Sequence, residues 1–232
     1  MNKVDVLAFG AHPDDVEIGM GATLAKFAKE GKTVAICNLT YAELSSNGTV
    51  EQRQEEAKKA AEILKVSHLL QLDLKDRGLK YVSTEQLGKI VDVIREYQPR
   101  IVFAPYHVDR HPDHGHCFEL VQEALFNARI RRYETNQSLQ AHIVEQFYTY
   151  FINGSPNPDF VLDVSDFYVQ KKAALQAYQS QFQKRGDDAV ETPLTNGYIE
   201  VVSARERLYG KEVDVTYAEG FKTIKPLKLD TL

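Results

Sequence analysis

Short apolar, β-branched runs alternate with amphipathic stretches over the first half of the chain, and this alternation restricts the fold more than any single motif does. Val4–Gly10, Thr33–Leu39, His68–Leu74 and Ile101–Ala104 read as buried strands. Between them, Glu17–Lys29 places Met20, Leu24, Phe27 and Ala28 at helical spacing, with Gly31 as a left-handed stop. A second helix opens at a Thr49/Gln52 capping box and lines up Ala57, Ala60, Ala61 and Leu64. A third opens at Ser83/Gln86, carries Leu87, Ile90, Val91 and Ile94, and ends at Pro99. A fourth spans Asp113–Arg129 through Leu120, Val121, Ala124, Leu125 and Ala128.

This βα alternation predicts one α/β domain over 1–232, a Rossmann-like three-layer α/β/α arrangement with a mostly parallel sheet. Residues 1–130 form its βα core and 131–232 add to it. Gln146–Phe151 and Phe160–Val164 read as two further strands, and a helix over Phe167–Phe182 as the last long element. Gly186-Asp187-Asp188 and Thr192-Pro193 read as one surface loop. With the strand order 3-2-1-4-5, strands one and four are neighbours where the winding reverses, and ligands bind at that point.

Polar clusters stand at both of those strand ends. His12-Pro13-Asp14-Asp15 follows the first strand, His111-Pro112-Asp113-His114 follows the fourth, and Asp73–Gly78 closes the third on the same rim. Alone, each cluster is ordinary helix-start chemistry, with proline in the first turn and acids favoured by the dipole. Together they describe a divalent-cation site built from two loops. His12 and Asp15 can face one ion while Asp14 points elsewhere, and a histidine from the second cluster completes a His-Asp-His set. Catalytic zinc takes three protein ligands, keeps a position for water and lowers that water's pKa to about 7. A carboxylate off the metal then accepts the proton, and Asp14 is the candidate.

Composition excludes other classes. A net charge of −5 lacks the clustered positive charge of a nucleic-acid binder. No apolar stretch is long enough to span a membrane. Lys3 and Asp5 interrupt any signal-peptide core, and the two cysteines, Cys37 and Cys117, form no disulfide framework, so a cytoplasmic location is expected. Both cysteines read as packed thiols, and His68, His107, His116 and His142 as surface or packed histidines. Gly10, Gly19 and Gly21 do not match a dinucleotide fingerprint. Two readings compete with a hydrolase. Two histidines and a carboxylate also make a non-haem iron triad, and a sugar- or nucleotide-binding protein could use the metal as a structural staple.

The segment Ala11–Gly19 together with His111–His114 resembles the LmbE-like (PIG-L) family of zinc-dependent N-acetylglucosamine deacetylases. The similarity continues through Arg53–Glu56, Asp76–Gly78, Thr192–Thr195, Gly197-Tyr198 and Tyr217–Phe221. The last of these point to the bacillithiol branch, which acts on N-acetylglucosaminyl malate. The resemblance implies His12, Asp15 and His114 as zinc ligands, with ferrous iron as the other candidate metal, and Asp14 as general base. It implies that His111 stabilises the oxyanion or helps protonate the leaving amine, that Asp113 orients a histidine, and that Tyr198 donates to the oxyanion. Arg53 and Asp76 match positions that hold sugar hydroxyls. It also implies a homo-oligomer, hexamer or trimer, acting on a small N-acetylglucosaminyl conjugate, a diacetylchitobiose-type sugar being the alternative substrate. One departure is Ile143, where relatives often carry arginine after the histidine. The missing anion contact would fall to Arg77, Arg110 or Arg129.

Overall fold

Strand β1 (Val6–Gly10) is buried along its whole length because both of its faces are covered. In the computed structural model, which describes residues 2–184 and 189–227, it pairs in parallel with β2 (Val34–Thr40) on one side and β4 (Ile101–Pro105) on the other, Val6 opposite both Val34 and Ile101. Side chains alternate along it: Val6 and Ala8 enter one apolar layer, Leu7 and Phe9 the other. Helices α1 (Asp15–Lys29) and α2 (Val50–Leu64) cover the first face, and α3 (Thr84–Tyr97) and α4 (Pro112–Ala128) the second.

The sheet is seven-stranded. With β3 (His68–Leu74), β5 (Gln146–Tyr150), β6 (Phe160–Asp163) and β7 (Ala218–Thr223), its order is β3-β2-β1-β4-β5-β7-β6. The expected order 3-2-1-4-5 is therefore present and extended. β7 runs antiparallel to both β5 and β6, so the sheet is mostly parallel with a mixed edge. Ser83 and Gln86 make the full capping box, whereas Thr49 caps α2 from one side, accepting from the Gln52 N–H. No helix among the described residues is long and apolar enough to cross a membrane.

The C-terminal third departs from expectation. The single helix foreseen over Phe167–Phe182 is α5 (Tyr168–Ala177) and a short α6 (Gln179–Phe182), broken at Tyr178, whose hydroxyl is drawn to Glu17 at 2.8 Å. Nor is it the last long element, for α7 (Tyr198–Glu212) and β7 follow it. Gly186-Asp187-Asp188 lies outside the described residues.

Candidate active site

Between β1 and α1 the chain turns sharply. Asp14 adopts φ 111°, ψ −23°, a conformation that favours glycine and stores strain in any other residue. The surroundings over-determine it. Arg53 of α2 donates to the Pro13 carbonyl from Nε (3.0 Å) and Nη2 (2.6 Å), and to Ser45 Oγ from Nη1. Its Nη2 also lies 2.9 Å from Asp14 Oδ2. Asp15 Oδ2 accepts the His12 N–H at 2.9 Å. Across the switch point, His111 starts α4, its Nδ1 accepting the Asp113 N–H at 3.3 Å.

Asp15 lies between two imidazoles. Asp15 Oδ2 lies 3.5 Å from His12 Nδ1, and Asp15 Oδ1 lies 3.2 Å from His114 Nε2. The edge of a tetrahedron with bonds of about 2.1 Å is roughly 3.4 Å, so each of these two pairs is spaced as two ligands of one zinc-sized ion are, through different oxygens of Asp15. A ligand atom of His111 lies within 4.8 Å of those of His12 and His114. His12 also shares a second buried set with Asp76 and Asp113, and here the partners are already engaged. Asp76 Oδ1 faces His12 Nε2 at 3.1 Å while Oδ2 accepts the Leu44 N–H. Asp113 accepts the Arg77 N–H at 2.7 Å and faces its Nη1 at 3.3 Å. Two buried atoms, Asp14 Oδ2 and His114 Nδ1, have an opposite charge in range but no aligned hydrogen bond.

Burial and charge divide the titration of these groups. Burial pushes the Asp14 carboxyl up to about 6 against the pull of Arg53. For Asp15, burial is outweighed by His114 and His12, which hold it well below the usual carboxylate range. Burial disfavours a charged His114, yet Asp15 and Asp109 raise it to about 9. His111 goes the other way: burial, and then the cationic His12 and His114, bring it down to about 4. At neutral pH His111 is therefore uncharged, and because its Nδ1 accepts a backbone N–H, its proton sits on Nε2.

His12, Asp14, Asp15, Arg53, Asp76, His111, His114 and Tyr198 all line one cavity of about 520 Å³. Three of the expected site residues already have partners within the chain. Asp76 faces His12 with Oδ1 and accepts the Leu44 N–H with Oδ2. Asp113 lies 3.8 Å from His12 Nε2, beyond hydrogen-bonding distance, and is anchored by Arg77. The Tyr198 hydroxyl lies 2.9 Å from both the Ile152 carbonyl and Asn153 Oδ1, so its proton is already in use. Ile143 lies in a separate groove with Phe147 and Arg129, whereas Arg77 and Arg110 reach the cavity. Thr192 and Pro193 form part of the cavity wall rather than a plain surface loop.

The residue that sequence reasoning missed is Asp109. Its Oδ1 lies 3.0 Å from His114 Nδ1, and it also binds the His111 N–H and both N–H groups of Asn153. The one signal for it was an acid two residues ahead of His111 in a strand-end loop. The remaining histidines are packed or paired: His68 against Tyr97, His107 against Phe118, His116 with Glu119, and His142 with the Pro99 carbonyl.

Residues 7–125 match the PIG-L family, described as GlcNAc-PI de-N-acetylase. The diacetylchitobiose deacetylase of Thermococcus kodakarensis is 32% identical, over 94% of this chain and 82% of its own. A probable N-acetyl-alpha-D-glucosaminyl L-malate deacetylase 2 of Bacillus subtilis is 27% identical, over 77% of this chain and 84% of its own. Among solved structures, a conserved protein of Thermus thermophilus is similar with a TM-score of 0.88 and 35% identity, over 97% of each chain.

Proposed function

The chain belongs to the PIG-L family of GlcNAc-PI de-N-acetylases, and from that membership we propose that it hydrolyses the N-acetyl group of a small N-acetylglucosamine-containing molecule, using a divalent cation held by His12, Asp15 and His114. One observation carries this reading: two imidazoles and a carboxylate converge beside a buried, strained Asp14 at the switch point of a parallel sheet.

When bound there, zinc or ferrous iron supplies Lewis acidity toward the acetamide carbonyl and lowers the pKa of a water to about 7. Asp14, beside the ligands, would take up the proton of a water held there as it attacks. His111, neutral with its proton on Nε2, donates a hydrogen bond to the developing oxyanion. Asp14 returns the proton to the departing glucosamine nitrogen, and acetate leaves. Arg53 holds the Asp14 turn in place through Pro13, and Asp76 and Asp109 keep His12 and His114 oriented.

Two substrates fit within this reaction. The higher identity to the Thermococcus enzyme favours a diacetylchitobiose-type sugar. The C-terminal motifs, the Bacillus relative and two cavity arginines, Arg77 and Arg110, favour a conjugate carrying carboxylates, as N-acetylglucosaminyl malate does. Amine release from N,N'-diacetylchitobiose, N-acetylglucosaminyl malate and plain N-acetylglucosamine separates them. We expect turnover of one conjugate far above the plain sugar. Zinc-loaded protein that releases amine from none of the three refutes the proposal.

A further inference from the structure

Helix α1 carries Asp15 in its first turn, yet it is not continuous. Met20, at φ −150°, ψ 24°, breaks it into a short segment from Asp15 and a longer one ending at Lys29. A break inside a helix strands carbonyls on one side and N–H groups on the other. Both sets are met here by ions from the C-terminal third of the chain. Glu219 of β7 accepts the Ala22 N–H (Oε1, 3.0 Å) and the Thr23 N–H (Oε2, 2.6 Å), capping the second segment as a helix start is capped. Lys171 of α5, fully buried, donates to the Ile18 carbonyl at 2.8 Å and to Glu206 and Glu219 at 2.5 and 2.6 Å. Arg205 of α7 approaches the same Ile18 carbonyl at 3.5 Å, pairs with Glu206, and binds the Ile152 carbonyl at 2.9 Å.

Two cations and two carboxylates balance in this buried quartet, and its contacts end on backbone of both cavity walls. Ile18 lies one turn beyond Asp14 and Asp15, and Ile18 and Ile152 both line the cavity. Ile152 precedes Asn153, which holds Asp109 and through it His114. A buried ion cluster is weak evidence for stability, since apolar residues of equal volume serve as well. Its role here is geometric.

We propose that Lys171, Arg205, Glu206 and Glu219 are positioning residues that set the break in α1, and so fix the short segment bearing Asp14 and Asp15 relative to His114. This rests on the metal-dependent reading above. It also gives Glu219, in the otherwise unexplained Tyr217–Phe221 motif, a task in that reaction.

The test uses Glu219→Gln and the charge-balanced pair Lys171→Met with Glu219→Gln in the full chain. Measured on each are thermal unfolding, kcat and KM, zinc affinity by chelator competition, and hydrogen exchange at the amides of 15–23. The balanced variant removes one charge of each sign, which protects folding. We expect it to stay cooperative in unfolding, with KM within about twofold and kcat down about 10- to 100-fold, the scale of a small misplacement of reacting groups. Zinc affinity falls with kcat, and exchange at Ala22 and Thr23 accelerates together with exchange at 15–18. A folded balanced variant, or a folded Glu219→Gln if the pair does not fold, with wild-type kcat and zinc affinity overturns the inference. Faster exchange confined to 22–23 overturns it as well. If the wild type itself neither binds zinc nor releases amine, the proposed function fails instead. Coupled exchange across the break in the metal-free protein then still decides the positioning claim.

Discussion

Asp109 Oδ1 lies 3.0 Å from His114 Nδ1, and the same carboxylate fastens the His111 N–H at 2.8 Å. A carboxylate in that position favours a proton on Nδ1 through its charge and leaves Nε2 to a cation. Asp109→Ala is expected to weaken zinc binding about 10- to 100-fold. Chelator competition measures this, and an unchanged affinity would remove Asp109 from the site.

Asp76 gives a test of role. If it holds His12, Asp76→Ala lowers zinc affinity by a similar factor, about 10- to 100-fold, and KM measured at saturating zinc barely moves. If it instead held a sugar hydroxyl, KM would rise and zinc affinity would stay. The 3.1 Å contact to His12 Nε2 favours the first outcome.

Strain at Asp14 separates stability from activity. Asp14→Ala keeps the φ of 111° but loses the proton acceptor, whereas Asp14→Gly also relieves the backbone. Both should retain metal and lose about 10²- to 10⁴-fold in rate. In denaturant melts the glycine variant should nonetheless be more stable than the alanine variant by about 1 kcal/mol, reversing glycine's usual penalty. An alanine variant equal to or above the glycine variant in stability would show that the turn stores no strain.

The pH dependence of the metal-free protein follows from His114, raised to about 9 by Asp15 and Asp109 in spite of burial. A raised folded-state pKa means stabilisation that is complete below the ordinary histidine value of about 6.5 and is lost as pH climbs through about 9. Metal-free wild type should thus lose melting temperature across that window relative to His114→Gln. Zinc must displace this proton and that of His12, which its carboxylate neighbours also hold well above the usual value in spite of burial, so its affinity should rise up to about a hundredfold per pH unit over the window. A pH-independent affinity would mean that His114 enters the complex already neutral.

The half of the site nearest the N-terminus was legible because its supports are apolar. β1 and β4 announce themselves through unbroken hydrophobic runs, and His12 and His111 stand in the loops that follow them. Helix α7 and strand β7 were missed for the opposite reason. The inward face of α7 includes Arg205 and Glu206, while Val201 and Leu208 point to solvent, so the apolar stripe is scrambled. In β7, Glu219 and Gly220 lower the strand signal at fully buried positions. Ions buried in mutual pairs look like surface in a sequence. Asp109 escaped notice because a loop acid has no periodicity, and the contact of Asp76 with His12 went unforeseen because a motif gives proximity without saying which atom faces which partner.

The central claim is that His12, Asp15 and His114 hold the ion on which amide hydrolysis depends. Amine release from an N-acetylglucosaminyl substrate, followed through chelation and stepwise return of zinc, tests it most directly. The proposed function predicts that activity vanishes with the metal and returns in full at one equivalent per chain in the wild type, but not in His114→Ala. Undiminished turnover by chelated, metal-free protein would contradict it.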